Sequence, residues 1–415
     1  MHILLVTQYF WPETFIINDL VKHLIKNGHQ VTVLTGKPNY PDGKIYDGYE
    51  QSGIKYEFYD NNIEVIRVPL RPRANGNAKN LISNYLSFIL SGLRYFPRLI
   101  KKRKFDVIFV FATSPILSAI PAIWLKILYK KQLVIWVQDL WPESLAATGF
   151  IRNPLLLKIV GWFVRGIYAC ANTLLIQSKA FRQPVLRYAN SEKIIYYPNS
   201  MDATPMANDS SIVLPDTLLD ILECYDCIVF AGNIGKAQAI ETIVDAALLI
   251  KDLSNVKLVI VGSGSMSEWM QQKKDELKLD NVYFAGRFPM SVMPQIYSRS
   301  SALLVTLKDE EVFSFTIPSK VQAYLSAGKP IIASLNGEGA RVVSEAKAGI
   351  VCPAENATLL AQAIRELYTS SKQEREKMGA AGRAYFLEYF EMNQQAKRLI
   401  EILESRMSPK GDKSK

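Results

Sequence analysis

Ile228-Val-Phe-Ala231 runs directly into Gly232-Asn233-Ile234-Gly235-Lys236-Ala237-Gln238. An apolar run of strand length empties into a glycine-bearing turn, and a helical pattern follows. The same order recurs downstream. Lys257–Val261 precedes Gly262-Ser263-Gly264-Ser265, and Val282–Phe284 precedes Ala285-Gly286-Arg287-Phe288-Pro289. Ala302–Thr306, Ile331–Ala333 and Gly349–Val351 complete the second half, with Asn336-Gly337-Glu338-Gly339-Ala340 after the second of these. Strands buried on both faces read as unbroken apolar runs, and their alternation with helices builds parallel βαβ sheets. The first half shows the same rhythm at Ile3–Thr7, Val31–Thr35, Val65–Val68, Val107–Phe111, Leu133–Val137, Thr173–Gln177 and Ile194–Tyr196. A helix is expected from Thr14 to Lys26, stopped by Asn27-Gly28. The pattern predicts an α/β protein of two Rossmann-like, doubly wound domains.

A chain of 415 residues suits two such domains of about 200 residues each. The expected division is a first domain over 1–200, a polar linker over 201–225 and a second domain over 226–385. A C-terminal helix over 386–406 would pack back on the first domain, and 407–415 reads as a disordered tail. Charge is divided unevenly. Residues 1–200 carry 25 Lys/Arg against 12 Asp/Glu, so the first half holds all of the net +10. Such asymmetry points one half toward an anionic surface or substrate.

Met1–Val6 has no basic region before it and stops at Thr7-Gln8, too short for an export signal. Val107–Tyr129 is apolar, but Pro115, Pro121 and Thr113-Ser114 divide it into strand, turn and helix rather than a membrane span. Four scattered cysteines fit a reducing cytosol, and Cys224-Tyr-Asp-Cys227 lacks the second pair or the histidine of a metal site. A dehydrogenase is disfavoured because no G-x-G-x-x-G follows the first strand.

Ligands of doubly wound sheets bind beyond the carboxyl ends of the strands, so the residues there are the candidates. Gln8-Tyr9-Phe10-Trp11-Pro12-Glu13 follows the first strand, and Gln138-Asp139-Leu140-Trp141-Pro142-Glu143-Ser144 follows Val137. Acids beside Trp suit polar contacts to a sugar whose apolar face stacks on the ring; helix capping and packing are the plain alternatives. In the second half, glycines at 232, 235, 262 and 264 allow backbone N–H groups to approach an anion. Pro318-Ser319-Lys320 opens an apolar helix ending at Gly328, which joins free N–H groups, a hydroxyl and a cation. Five such strand endings in one domain point to a nucleotide diphosphate.

The order of these elements resembles the GT-B glycosyltransferases of family 4 over residues 1–405, which implies that the two domains face each other across a cleft. More narrowly it is similar to bacterial O-antigen and capsule transferases that add N-acetyl-fucosamine or a related deoxyamino sugar. The resemblance is carried by Gln8–Glu13, Gly36-Lys-Pro-Asn-Tyr-Pro-Asp-Gly43, Tyr46-Asp-Gly-Tyr49, Gln138–Ser144, Gly232–Gln238, Pro318–Lys320 and Gly337-Glu-Gly-Ala-Arg341. It implies a UDP-sugar on the second half, its base near Arg287 and Phe288. Its diphosphate would lie near Gly232, Asn233, Gly235, Ser319 and Lys320, with Glu338 and Gly339 completing the donor site. The acceptor, a polyprenyl-diphosphate-linked saccharide at the inner membrane surface, would dock on the first half. Neither a nucleic acid nor a resident cofactor is implied.

Two glutamates that many relatives place before Gly-Lys-Pro are replaced by Phe315 and Ala323, and phosphate-loop cations by Asn233 and a residue near Gln238. Lys320 is then the best cation for leaving-group charge, and Asp139, Glu143 and Glu13 the best acids for the acceptor hydroxyl. No Asp-x-Asp stands where a metal-dependent transferase needs one, so transfer without metal is expected. Asn84–Lys104 turns from aromatic to basic, with six cations and no acid from Arg94 onward, and with Pro154–Tyr168 it suggests membrane association. A UDP-sugar 2-epimerase and a non-catalytic nucleotide-sugar-binding protein remain alternative readings of the same residues.

Overall fold

The computed structural model describes residues 1–203 and 214–407. The chain forms two compact units, one of Met1–Ser200 with the chain from Met392, the other of Met201–Glu391. The first unit holds β1 (His2–Val6), β2 (Gln30–Gly36), β3 (Lys55–Tyr59), β4 (Ile63–Val68), β5 (Val107–Ala112), β6 (Gln132–Val137), β7 (Thr173–Ile176) and β8 (Ile194–Tyr196). Their order across the sheet is β3-β4-β2-β1-β5-β6-β7-β8, all parallel except β3 on β4. The second unit holds β9 (Asp226–Ala231), β10 (Val256–Val261), β11 (Val282–Gly286), β12 (Ala302–Thr306), β13 (Ile331–Ser334) and β14 (Gly349–Cys352). It is a fully parallel sheet in the order β11-β10-β9-β12-β13-β14.

Each sheet reverses its winding once, between β1 and β5 in the first unit and between β9 and β12 in the second. Strand order reversal opens a crevice at the carboxyl ends, where adjoining connections leave in opposite directions. The chain after β1 is Gln8–Glu13, and after β9 it is Gly232–Gln238. Two of the segments read as chemically active therefore begin at the switch points, while Gln138–Ser144 follows β6 and Gly262–Ser265 follows β10.

The first core packs Ile3, Leu5, Val33, Phe109, Val134 and Trp136 against the helix Ile16–Lys26 and the C-terminal helix Met392–Met407. Trp136 donates its indole N–H to Tyr197 O at 3.1 Å, and the Tyr197 hydroxyl donates to Gln395 O at 2.9 Å. The returning helix is thereby tied into the first unit at its centre. It starts at Met392, not at 386 as expected. Lys372–Tyr389 is a separate helix of the second unit, and Phe390 is buried in that unit's core, its carbonyl accepting from Met201 N–H at 3.0 Å. Part of the expected linker, 204–213, lies outside the described residues, as does the tail 408–415. The described part after it is no spacer: Asp216–Cys224 is a helix whose Leu218 and Leu222 enter the core of the second unit. Val107–Tyr129 forms β5, a short 3-10 turn and the helix Ile120–Tyr129. Among the described residues no helix is long and apolar enough to cross a membrane.

Candidate active site

In the first unit the loops after β1, β2 and β4 are held together from below. Glu13 is 1% exposed. One carboxylate oxygen accepts the N–H of Phe10 at 3.1 Å, and the other accepts those of Asn39 and Tyr40, each at 2.8 Å. Burial pushes its pKa up to about 7, opposed by those three donors and by Arg67. Asn84, fully buried on the helix Ala78–Leu99, accepts from Gln8 Nε2 at 2.7 Å and donates to Arg71 O at 2.6 Å and Asn39 Oδ1 at 3.3 Å. Arg67 is buried as well, bonded to Gly36 O, Trp11 O and the Glu57 carboxylate. A carboxylate occupied by three amides is poorly placed to take a substrate proton. Expected as a candidate base, Glu13 is a positioning residue in this geometry.

Asp139 follows β6 and is half-buried. Its Oδ2 accepts the Trp141 indole N–H and the Ser144 hydroxyl, both at 3.1 Å. Its Oδ1 has no partner among the described residues. The Trp141 ring nitrogen also lies 3.1 Å from Ser114 Oγ, just beyond β5, so the acid is braced against the strand that flanks the switch point. Glu143 opens the short helix Glu143–Ala147, with Arg187 at 3.3 Å from Oε1 and with Oε2 buried and without a partner among the described residues. Burial raises its pKa, and Arg187 works against that. Asp139 and Glu143 thus share one loop, while Glu13 is locked beneath another.

In the second unit, backbone packs on backbone. Gly232 N–H donates to Val261 O, and Gly262 N–H to Gly286 O, each at 2.8 Å. A Cβ on Gly262, at φ +139°, would lie 1.9 Å from Gly232 O; one on Gly264 would lie 2.4 Å from Ile234 O. Only glycine allows the loops after β9 and β10 to lie this close. Gly262→Ala should cost about 2–4 kcal/mol, read as a lowered midpoint in denaturant. Unchanged unfolding would show that the two loops can part freely.

Lys320, one residue into the helix Ser319–Ala327, reaches this loop pair. Its ammonium donates to Gln238 Oε1 at 2.6 Å and sits 3.7 Å from the centre of the Phe230 ring. A Cβ on Gly232 would lie 2.6 Å from its Cε. Burial lowers the Lys320 pKa to about 7. Asn233 lies against Gly235 and Gly264, and Ser319 is exposed at the helix start. Gly339 packs its α-carbon against Leu335 and Pro318, which fixes the approach to that helix start. Glu338 is buried and paired through both oxygens with Arg341 at 3.0 Å, so the chain itself occupies its charge. Arg287 is exposed and Phe288 packs half-buried on the core. The structure gathers Gly232, Asn233, Gly235 and Lys320, and adds Gln238 and Phe230, which sequence reasoning did not assign.

A family model described as glycosyl transferase 4-like domain matches residues 15–200, and one described as glycosyl transferases group 1 matches residues 221–385. The chain is a GT-B glycosyltransferase of the family 4 type. A Pseudomonas aeruginosa protein named glycosyltransferase WbjE is 23% identical over 305 residues, covering 71% of this glycosyltransferase and 74% of the relative. An Escherichia coli K12 protein named colanic acid biosynthesis glycosyl transferase WcaI is 23% identical over 320 residues, covering 75% and 76%. Among solved structures, trehalose-6-phosphate from E. coli bound with UDP-2-fluoro glucose matches with a TM-score of 0.71 at 12% identity, over 97% of this chain and 99% of that one.

Proposed function

We propose that this glycosyltransferase moves a sugar, N-acetyl-fucosamine or a related deoxyamino sugar, from its UDP-linked form to a polyprenyl-diphosphate-linked saccharide. The setting is O-antigen, capsule or exopolysaccharide synthesis at the inner face of the cytoplasmic membrane. The observation that carries the donor half is a desolvated cation, Lys320, held over two interlocked glycine loops at the second unit's switch point. The relative named for colanic acid biosynthesis and the neighbour bound with UDP-2-fluoro glucose support the same reading. In the reaction the acceptor oxygen bonds to the anomeric carbon as the bond from that carbon to the β-phosphate oxygen breaks. Asp139 takes the hydroxyl proton through its open Oδ1. Lys320 and the backbone amides of Asn233 and Gly235 meet the charge that develops on UDP, so no metal ion is required. A thermal-shift series with UDP-, GDP- and dTDP-sugars tests the donor assignment, because a ligand of the native state alone raises the melting temperature. Stabilisation by GDP or dTDP compounds in place of UDP would overturn it.

The membrane half of the proposal rests on three helices of the first unit. Ala78–Leu99 packs along Ile120–Tyr129, which also touches Pro154–Cys170. None of the three contains an Asp or Glu. The first buries Asn84, Phe88, Gly92 and Phe96 on one stripe and exposes Ile82, Leu86 and Leu90 on another. Leu90 is 65% exposed, Ile127 59% and Trp162 66%, with Trp124, Leu155 and Phe163 exposed beside them. Arg94, Arg98, Lys101, Lys102, Lys130, Lys158 and Arg165 supply exposed positive charge on or beside these helices. Arg103 is spent in an ion pair with Glu64, which removes it from the basic run the sequence suggested. Exposed aromatics with a basic surround suit an anionic bilayer, each cation contributing about 1 kcal/mol. Changing Trp162 and Phe163 to Glu should cut sedimentation with phosphatidylglycerol vesicles at least about tenfold without lowering the melting temperature. Equal sedimentation of variant and wild type would remove this surface from the account.

A further inference from the structure

We propose that Arg73 binds an anionic group of the acceptor, a phosphate or a carboxylate, at the strand-end site of the first unit. This rests on the reading of that unit as the acceptor side. Arg73 lies in the loop beyond β4, half-buried, and its guanidinium makes no hydrogen bond or ion pair among the described residues. A guanidinium carries five N–H donors, and those of Arg73 are left to a ligand or to water. The other half-buried or buried arginines of this unit differ: Arg67 is tied to Gly36 O, Trp11 O and Glu57, Arg103 to Glu64, Arg398 to Tyr196 O and Arg406 to Glu192 O.

The loop that presents Arg73 is fixed. Its own N–H donates to Asn39 Oδ1 at 3.2 Å, and Ala74 N–H donates to Gly43 O at 2.8 Å. Gly43 N–H closes back on Asn39 O at 2.9 Å, and Asn84 joins Asn39 to Arg71. The guanidinium carbon stands 5.0 Å from the centre of the Tyr40 ring, a face that supports a planar cation. Tyr9 and Tyr85 also lie within its electrostatic reach, and burial pushes both phenols upward, so neither supplies a negative charge. Through Asn39 and Asn84, whose Oδ1 accepts from Gln8 Nε2 at 2.7 Å, the Arg73 loop is tied to the loop after β1 at the switch point. The nearby buried acid, Glu13, is consumed by three amides. A rigidly mounted planar fork with an aromatic backing, and with no ion pair to its own chain among the described residues, fits a phosphate or carboxylate brought by the substrate.

Calorimetry on the full chain, with UDP saturating so that the donor site is closed, tests this with three probes. These are farnesyl diphosphate, octyl glucuronide and neutral octyl glucoside. Arg73→Gln should weaken at least one anionic probe by at least about tenfold while leaving octyl glucoside unchanged, and Arg73→Lys should fall between. Loss confined to farnesyl diphosphate identifies the lipid diphosphate as the anion. Loss confined to octyl glucuronide identifies a carboxylate on the acceptor sugar. Equal affinities of wild type and Arg73→Gln for both anions overturn the proposal, as does an equal loss with octyl glucoside. Because UDP stabilisation is measured independently, failure here is distinguishable from failure of the transferase reading.

Discussion

Asp139→Asn is expected to fold with near-normal stability, bind UDP as the wild type does, and transfer sugar about 100-fold more slowly or worse. The amide oxygen can still accept from Trp141 and Ser144, which hold the present carboxylate at 3.1 Å, so the loop keeps its brace. What disappears is the basic oxygen at Oδ1. Single-turnover rates with saturating donor and acceptor isolate that loss from binding. Glu13→Gln should behave in the opposite way. A carboxamide has one acceptor oxygen where three N–H groups now converge on two, so stability should fall by about 1–3 kcal/mol. If Asp139→Asn retains its rate and Glu143→Gln loses it, the proton passes to Glu143. Retention of the rate by both would remove this loop from the chemistry.

Lys320→Ala is expected to weaken UDP binding by about 10- to 100-fold, the worth of a charged hydrogen bond to phosphate. The pH dependence gives a second readout. In the free protein the ammonium gives way to the neutral amine above about pH 7, because burial disfavours the charge. UDP restores that charge, so binding at pH 8 should take up close to one proton. The uptake appears as a binding enthalpy that changes with the ionisation enthalpy of the buffer, and Lys320→Ala should abolish it. Linkage fixes the sign for stability. Between about pH 7 and the ordinary lysine pKa near 10.5, the unfolded chain binds the proton that the folded chain lacks. This residue therefore makes the wild type more stable as pH rises through that window, and Lys320→Met should lose that slope. A UDP affinity independent of both pH and Lys320 would place the diphosphate elsewhere.

The parallel strands were legible because burial on both faces leaves apolar runs such as Ile228–Ala231 with no competing pattern. The edge strand Lys55–Tyr59 was not. It alternates, and its Tyr56 and Phe58 point to solvent, so it carries neither an unbroken apolar run nor an apolar-in, polar-out sequence. Pro318-Ser319-Lys320 announced itself through helix-start chemistry. The partner that holds Lys320 in place, Gln238, is 82 residues away and has no local signal. Glu13 and Glu143 look alike in sequence because both end a Trp-Pro-Glu element. They differ in three dimensions because Asn39 and Tyr40 lend their amides to Glu13 alone, a long-range contact that no spacing encodes. Arg73 is equally silent: nothing in Arg71-Pro72-Arg73 distinguishes an engaged arginine from an unengaged one. What sequence supplies is the list of strand ends; which groups there are already occupied is a property of tertiary hydrogen bonding.

Passage of one sugar from UDP to a lipid-linked acceptor leaves two products that can be weighed and counted together. The most direct measurement incubates the protein with a panel of UDP-deoxyamino sugars and polyprenyl-diphosphate saccharides extracted from bacterial membranes, then weighs the lipid products by mass spectrometry while counting released UDP. The expected result is a lipid heavier by one sugar residue for each UDP released in wild type, and severe loss of both signals in Asp139→Asn. UDP-sugar that returns rearranged at the sugar, with no gain in lipid mass, would contradict it.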